Sequence, residues 1–364
     1  MTSLIARLSR RGLLAAAALV AGPVQASTRR PRMLPSIRPA TPRDVPEMAD
    51  LLVRDAGRRR SLDPALWRLD ADAQTRIAGA VGTSLAGSST SAPELWLLAE
   101  TGGRLVGIAH AMIVPVPPIY GVTTGPPGLF LDDCFAVEDA PAGAAEALIE
   151  ATEAALRAAG VSAMIASCPS AGPWRPLYER RGYEPVTLYM AKHGLEARAL
   201  PSGVRPAGPE DVPGIVTLSS DHRRTLAQLN PRFWPTHPEA DVRFEGWMRY
   251  SLTLKDRDMI VAGPPGETRG YIIAQPVSPL LIPAAHDIRS IGVIDDFYDQ
   301  DFADVSVVSN GGVSAAALLS AAESALARRT HAATLVVCPA AWTSKVSVLE
   351  RSGYRTAKLW MLKR

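Results

Sequence analysis

The chain reads LYERRGYEP at residues 177–185 and VLERSGYRT at residues 348–356. The two phrases share Glu-Arg-x-Gly-Tyr, where a glycine suits the end of a short helix and the aromatic that follows opens a strand. They are not an isolated coincidence. SIRPATPRDVPEMADLL (36–52) matches GVRPAGPEDVPGIVTLS (203–219), ALIEATEAAL (147–156) matches ALLSAAESAL (317–326), and ASCPSAG (166–172) matches VVCPAAW (336–342). Four paired segments recur in one order at a nearly constant offset. A period this long implies two copies of one globular domain rather than a solenoid. The copies fall at 36–194 and 203–364, with 195–202 as a linker.

Each copy predicts the same elements. A short strand (SIRP or GVRP) enters a helix whose first turn carries Pro and acidic residues. A variable helical stretch follows, then a hairpin: ELWLLAE, TGGR and LVGIAHAMIV in the first copy, DMIVAG, PPGETR and GYIIAQPV in the second. Next come a strand (GLFLDDCFAV or DFADVSVV), a long helix, a buried strand (SAMIAS or ATLVVC), a short helix and a last strand (EPVTLYMAK or RTAKLWMLK). The long helix has one apolar face, Ala145, Leu148, Ile149, Thr152 and Leu156, repeated as Ala315, Leu318, Leu319, Ala322 and Leu326. Its N-terminus follows a turn of small residues, which leaves backbone N–H groups pointing outward at an anion. The fold class is α/β, a mixed sheet flanked by helices, present twice.

Composition removes several classes of function. With 364 residues, 47% of them hydrophobic and 21% charged, the chain has material for two cores. The net charge of +3 is dispersed, so no nucleic-acid partner is expected. Three cysteines, Cys134, Cys168 and Cys338, make no disulfide framework, and six scattered histidines suggest no metal site. Cys168 and Cys338 each precede a proline after the buried strand and read as small buried hydrophobes.

Residues 9–27, SRRGLLAAAALVAGPVQAS, have paired arginines, a short apolar run and a small-residue cleavage pattern. That is the layout of a twin-arginine export signal over residues 1–26. The run is too short to span a bilayer, so no stable membrane association is expected. Alternatively translation starts at Met33, and residues 1–32 are upstream reading frame.

The order of elements, with Leu177-Tyr178-Glu179-Arg180-Arg181-Gly182-Tyr183 near the end of the first copy, resembles the GNAT acetyltransferase superfamily, and does so twice. The resemblance implies acetyl-CoA as co-substrate and an amine acceptor, a small molecule or a peptide, with no metal. In that family coenzyme A lies where two parallel strands splay apart, and its pyrophosphate rests on the turn before the long helix. The first copy offers Ala140-Pro141-Ala142-Gly143-Ala144-Ala145 there, which keeps the glycine but not the family's Gln or Arg. Val137, Gly143, Ala144 and Ala145 are the expected cofactor contacts. The second copy offers Asn310-Gly311-Gly312-Val313-Ser314-Ala315, with Val313 aligned to the glycine. The Asn that the family usually places before the final helix is missing from both copies.

Tyr178 occupies the family's position for the acid that protonates the leaving thiolate, a step that a phenol with its usual pKa near ~10 is able to perform. The second copy has Leu349 in its place. Asp132 and Asp133 lie on the strand beside the gap, one on each face by alternation, and either is a candidate base; a chain of waters is the alternative. Asp295, Asp296 and Asp304 are their counterparts in the second copy. Trp234 and His237 are either acceptor contacts or the aromatic plug of the second copy's core. The expected function is N-acetyl transfer in the first copy; the alternative is a catalytically silent tandem protein that binds a ligand or a partner. Acetyl-CoA is a cytoplasmic metabolite. A start at Met33 therefore goes with a cytoplasmic enzyme, and export goes with silence.

Overall fold

The computed structural model describes residues 35–87, 92–121 and 125–364; the segment with the arginine pair lies outside them. The first half runs β1 (Ser36–Pro39), α1 (Val45–Leu62), α2 (Ala73–Ala86), β2 (Glu94–Thr101), β3 (Arg104–Ile113), β4 (Pro127–Phe130), β5 (Phe135–Ala136), α3 (Ala144–Ala158), β6 (Ala163–Pro169), α4 (Arg175–Arg180) and β7 (Tyr183–His193). The second half repeats this order, with one strand in place of β4 and β5: β8 (Val204–Pro206), α5 (Val212–Leu229), α6 (Ala240–Ser251), β9 (Asp258–Ala262), β10 (Gly270–Pro276), β11 (Ile291–Asp299), α7 (Val313–Arg328), β12 (Ala333–Pro339), α8 (Thr343–Arg351) and β13 (Arg355–Lys363).

The matched sequence phrases have matched physical jobs. Arg38 forks onto Asp44 at 2.8 Å, and Arg205 forks onto Asp211 at 2.6 Å. Each aspartate also accepts from a backbone N–H three residues earlier, that of Thr41 at 2.7 Å or Gly208 at 2.8 Å. The Arg-Pro…Asp-Val-Pro spelling thus ties a strand end to a helix start. In the closing phrase, Gly182 and Gly353 end α4 and α8 in the left-handed region. The tyrosine after each reaches a glutamate of the long helix: Tyr183 bonds Glu153 at 3.1 Å, and Tyr354 bonds Glu323 at 2.9 Å.

The long helices bury the apolar face that the sequence predicts: Leu148, Ile149, Thr152 and Leu156 in α3, and Leu318, Leu319, Ala322 and Leu326 in α7. Each of those leucines contributes roughly 1.5–3 kcal/mol by leaving water. Strand glycines allow the approach. A Cβ at Gly107 would meet Leu148 at 2.8 Å, and one at Gly270 would meet Leu318 at 2.9 Å.

The strands form one continuous sheet in the order β1-β2-β3-β4-β6-β13-β7-β12-β11-β10-β9-β8, with β5 on β3. Its centre is an exchange. The last strand of the second half, β13, lies antiparallel on β6 of the first, while β7 of the first half lies antiparallel on β12 of the second. The two exchanged strands also pair with each other. Ion pairs follow the same symmetry, with Lys363 on Glu153 and Lys192 on Glu323, both at 2.7 Å.

One predicted strand is corrected. DFADVSVV is not the second half's strand before the long helix; Ile291–Asp299 is, and residues 300–302 form a short 3-10 turn. Alternation in that stretch imitates a strand, but Asp301 turns inward to bond the start of α7, which breaks the pattern.

Candidate active site

In each half, two parallel strands pair for four residues and then part. The β4–β6 ladder ends at Phe130 and Ala166, and the β11–β12 ladder ends at Ile294 and Val336. Beyond Phe130 the chain turns through Asp132 and Asp133 and rejoins β3 at β5, while β6 continues to Pro169. A wedge opens between them.

The second wedge is filled. Trp342 is fully buried and donates its indole N–H to Phe302 O at 2.8 Å. Lys345, also buried, donates to Phe297 O at 2.6 Å and lies within 5.3–5.6 Å of the Phe297, Phe302 and Trp342 rings. The anion turn of this half is occupied as well. The Asp301 carboxylate, 1% exposed, accepts from Ser314 N at 2.8 Å, Ala315 N at 3.3 Å and Asn310 Nδ2 at 3.1 Å. An internal carboxylate sits where a phosphate would bind. The glycine register is also corrected: Gly312, not Val313, takes the left-handed N-cap place of Gly143, and Val313 begins the helix.

The first half differs on both counts. Gly143 caps α3 at φ +93°, Ala142 and Gly143 are exposed, and no side chain caps the helix. Ala144 N bonds Pro141 O at 3.0 Å, but Ala145 N and Glu146 N have no acceptor among the described residues. Val137 lies deeper, buried, with its N–H spent on Val106 O at 3.0 Å. The acidic Glu138, just before the turn, is drawn away by Arg54 at 3.1 Å and by Arg58. Arg58 also bonds Ala136 O at 3.1 Å and lies 4.5 Å from the Phe135 ring centre.

A cavity of about 80 Å³ remains in this wedge, bounded by Arg59, Asp132, Cys134, Cys168, Trp174 and Tyr178 among others. Tyr178 is wholly buried, and its hydroxyl faces the Cys134 thiol but makes no hydrogen bond of good geometry. Burial pushes its pKa well above the ordinary phenol value, so it carries its proton at neutral pH. Burial likewise pushes the Cys168 and Cys338 thiols up to about 12, as expected for inert core cysteines.

The two aspartates point apart, as alternation requires. Asp132 accepts from Ser167 Oγ at 2.8 Å and is ion-paired to Lys358. Asp133 bonds His110 Nδ1 at 2.8 Å. His110 stacks on Trp96 with 3.5 Å between ring centres, and its Nε2 stands 3.5 Å from Glu94, beyond a good hydrogen bond. Neither carboxylate is unengaged. Of their counterparts, Asp296 bonds Tyr271 at 2.7 Å and Asp295 bonds Gln275 at 2.6 Å. Asp304 accepts from the N–H groups of Ser306 and Val307 at 2.7 and 2.9 Å. Trp234 is buried against Phe233 at 4.8 Å in the second half's core, whereas the half-buried His237 donates its backbone N–H to Ile119 O of the first half at 3.1 Å and so lies on the contact between the halves.

Several residues at the site are not apparent from motifs. Asp55 and Arg59 form a buried pair one turn apart in α1. Arg59 also donates to Asp132 O at 2.7 Å and to His286 Nε2 at 3.1 Å. Burial pushes Asp55 up to about 7 against the pull of Arg59; burial and the Arg59 charge push His286 down to about 3. The signal for the first pair was present, since both lie four residues apart on the apolar face of α1. For Lys358 and His286, which come from the second half, there was none.

Among the described residues no group of side chains is arranged to hold a metal ion, and no helix is long and apolar enough to cross a membrane. No protein-family model and no curated protein sequence matches the chain. Solved structures do. A GCN5-related N-acetyltransferase from Sphaerobacter thermophilus matches with 15% identity over 92% of this chain and 96% of that one, at a TM-score of 0.54. A tandem GNAT protein from the clavulanic acid biosynthesis pathway matches with 14% identity over 90% and 97%, at 0.46. A GNAT-family acetyltransferase from Colwellia psychrerythraea matches with 12% identity over 90% and 98%, at 0.46. With strands that splay at the same point in each half, the chain has the fold of the GCN5-related N-acetyltransferases, laid down twice.

Proposed function

We propose that the chain is an acetyl-CoA-dependent N-acetyltransferase whose working site is the wedge of the first half, residues 36–194. The contrast between the halves carries this reading. The first half has unbonded N–H groups at the start of α3 and an unpartnered tyrosine hydroxyl at the cavity, whereas the second has filled both places with its own side chains. A helix start of this kind attracts a pyrophosphate through its N–H groups and its dipole. The turn formed by Gly143, Ala144 and Ala145 supplies it.

In the reaction the amine nitrogen attacks the thioester carbonyl, a C–N bond forms and the C–S bond breaks. Tyr178 donates its proton to the departing thiolate, and the second proton shed by the nitrogen as the amide forms passes through water to restore the phenol. Asp132 and Asp133 already hold Lys358 and His110, so water at the cavity mouth receives the ammonium proton. The working compartment is then the cytoplasm, where acetyl-CoA is made.

Calorimetric titration of the full chain with acetyl-CoA tests the proposal, alongside Ala142→Asp. A carboxylate at that exposed site suits the helix dipole, so the fold survives, but it repels phosphate. Binding by the parent that weakens at least tenfold in the variant supports the site. No binding by the parent removes the proposed activity, and equal binding by both moves it elsewhere.

A further inference from the structure

Where β7, β13 and the end of β6 meet, a hollow of about 550 Å³ opens on the seam between the halves. It adjoins the first half's wedge, for Leu62 and Pro169 line both. Its walls differ in character. Leu62, Trp67, Pro169 and Ala171 supply apolar surface, and Lys192, His193 and Arg355 supply basic groups. Asp63, the acidic residue of the lining, is bonded to His193 Nε2 at 2.9 Å. Lys192 is held by Glu323, which lies outside the lining, at 2.7 Å. Arg355 is exposed and bonds only backbone carbonyls, those of Tyr354 at 2.9 Å and Glu350 at 3.5 Å. Among the described residues no carboxylate lies in ion-pair range of it.

A guanidinium without a counter-ion, beside an apolar wall and next to the acyl-transfer wedge, selects a particular kind of molecule. We infer that this hollow is the acceptor pocket, and that the acceptor is an amine carrying an anionic group, a carboxylate or a phosphate. The inference rests on the acetyltransferase reading of the first half. The anion pairs with the planar fork of Arg355. The apolar part of the acceptor lies on Leu62 and Pro169, and its amine faces the wedge. There the ammonium gives one proton to water and the nitrogen gains the acetyl group, the thiolate takes a proton from Tyr178, and the nitrogen's second proton restores Tyr178 through water. Arg355 belongs to the second half, so the acceptor site is incomplete without it.

Matched acceptors test this in a thiol-release assay with acetyl-CoA: L-phenylalanine against phenethylamine, and O-phosphoethanolamine against ethanolamine. A charge-assisted hydrogen bond is worth enough to give the anionic member about tenfold or more in kcat/KM. The pair that shows this identifies carboxylate or phosphate as the anion. Arg355→Gln, at an exposed position, is expected to erase the preference by raising KM with kcat unchanged. Equal turnover within both pairs, a preference that survives Arg355→Gln, or acetyl-CoA binding without turnover of either anionic acceptor overturns the inference. Calorimetry of the two anionic acceptors without acetyl-CoA separates the claims. If acetyl-CoA fails to bind but these acceptors bind the parent and not Arg355→Gln, the pocket stands and the acetyltransferase reading falls. If they do not bind either, both fall.

Discussion

Lys358, on the last strand of the chain, is ion-paired with Asp132 at the wedge of the first half, and both side chains are almost wholly buried. The ammonium also donates to Leu281 O at 2.7 Å, and the carboxylate accepts from Ser167. Removing one member leaves the other charged in the interior, which costs about 3–5 kcal/mol. Lys358→Met is therefore expected to destabilise the fold by about that much. The double variant Lys358→Met with Asp132→Leu is expected to recover most of the loss. Urea unfolding measures both, and single losses that simply add would show that the two groups are not coupled.

Tyr178 gives a prediction in which stability and activity part. Its buried hydroxyl has no partner, a situation that costs about 1–3 kcal/mol. Tyr178→Phe removes that penalty with the ring left in place among Phe130, Trp174 and Tyr183. The variant is expected to unfold a few degrees higher than the parent, to bind acetyl-CoA as well, and to turn over at least tenfold more slowly. A lowered melting temperature would mean that the hydroxyl has a stabilising role in the core.

Asp301 tests the claim that the second half satisfies its own anion turn. In Asp301→Ala the N–H groups of Ser314 and Ala315 lose their acceptor, with an expected loss of about 2 kcal/mol. Sulfate added to the variant is expected to restore part of this loss, and to do nothing comparable for the parent. Thermal melts with and without the salt, matched for ionic strength with chloride, read the difference. Equal responses would deny the vacancy.

His110 links stability to pH. Burial opposes its charge, but the Asp133 carboxylate, with Glu94 behind it, outweighs burial and raises it from the ordinary 6.5 to about 9. Between those values the folded protein holds a proton that the unfolded chain does not. The contribution is complete below about pH 6.5 and lost as pH rises through about 9, about 3 kcal/mol in all. His110→Gln is expected to flatten the fall in urea stability over that window. An unchanged slope would place the titrating group elsewhere.

The duplication was legible because its signature residues do local work. Arg38 with Asp44, and Tyr183 with Glu153, bond within their own half and recur as Arg205 with Asp211 and Tyr354 with Glu323. The exchange of β7 and β13 was not, since alternation along EPVTLYMAK or RTAKLWMLK is the same whichever neighbour the strand takes. With it went cross-half contacts such as Lys358 on Asp132, His286 on Arg59 and Lys363 on Glu153. DFADVSVV misled because one aspartate in an alternating run points inward as a cap.

The exchanged strands also bear on how such a chain can change. Cutting after the linker would strip β6 of the neighbour that covers its open edge and leave β7 without either partner. The later copy can therefore lose its own ligand and still be indispensable, as a brace for the earlier one. Duplication here has made one machine from two, in which one half is free to drift in chemistry but not in shape.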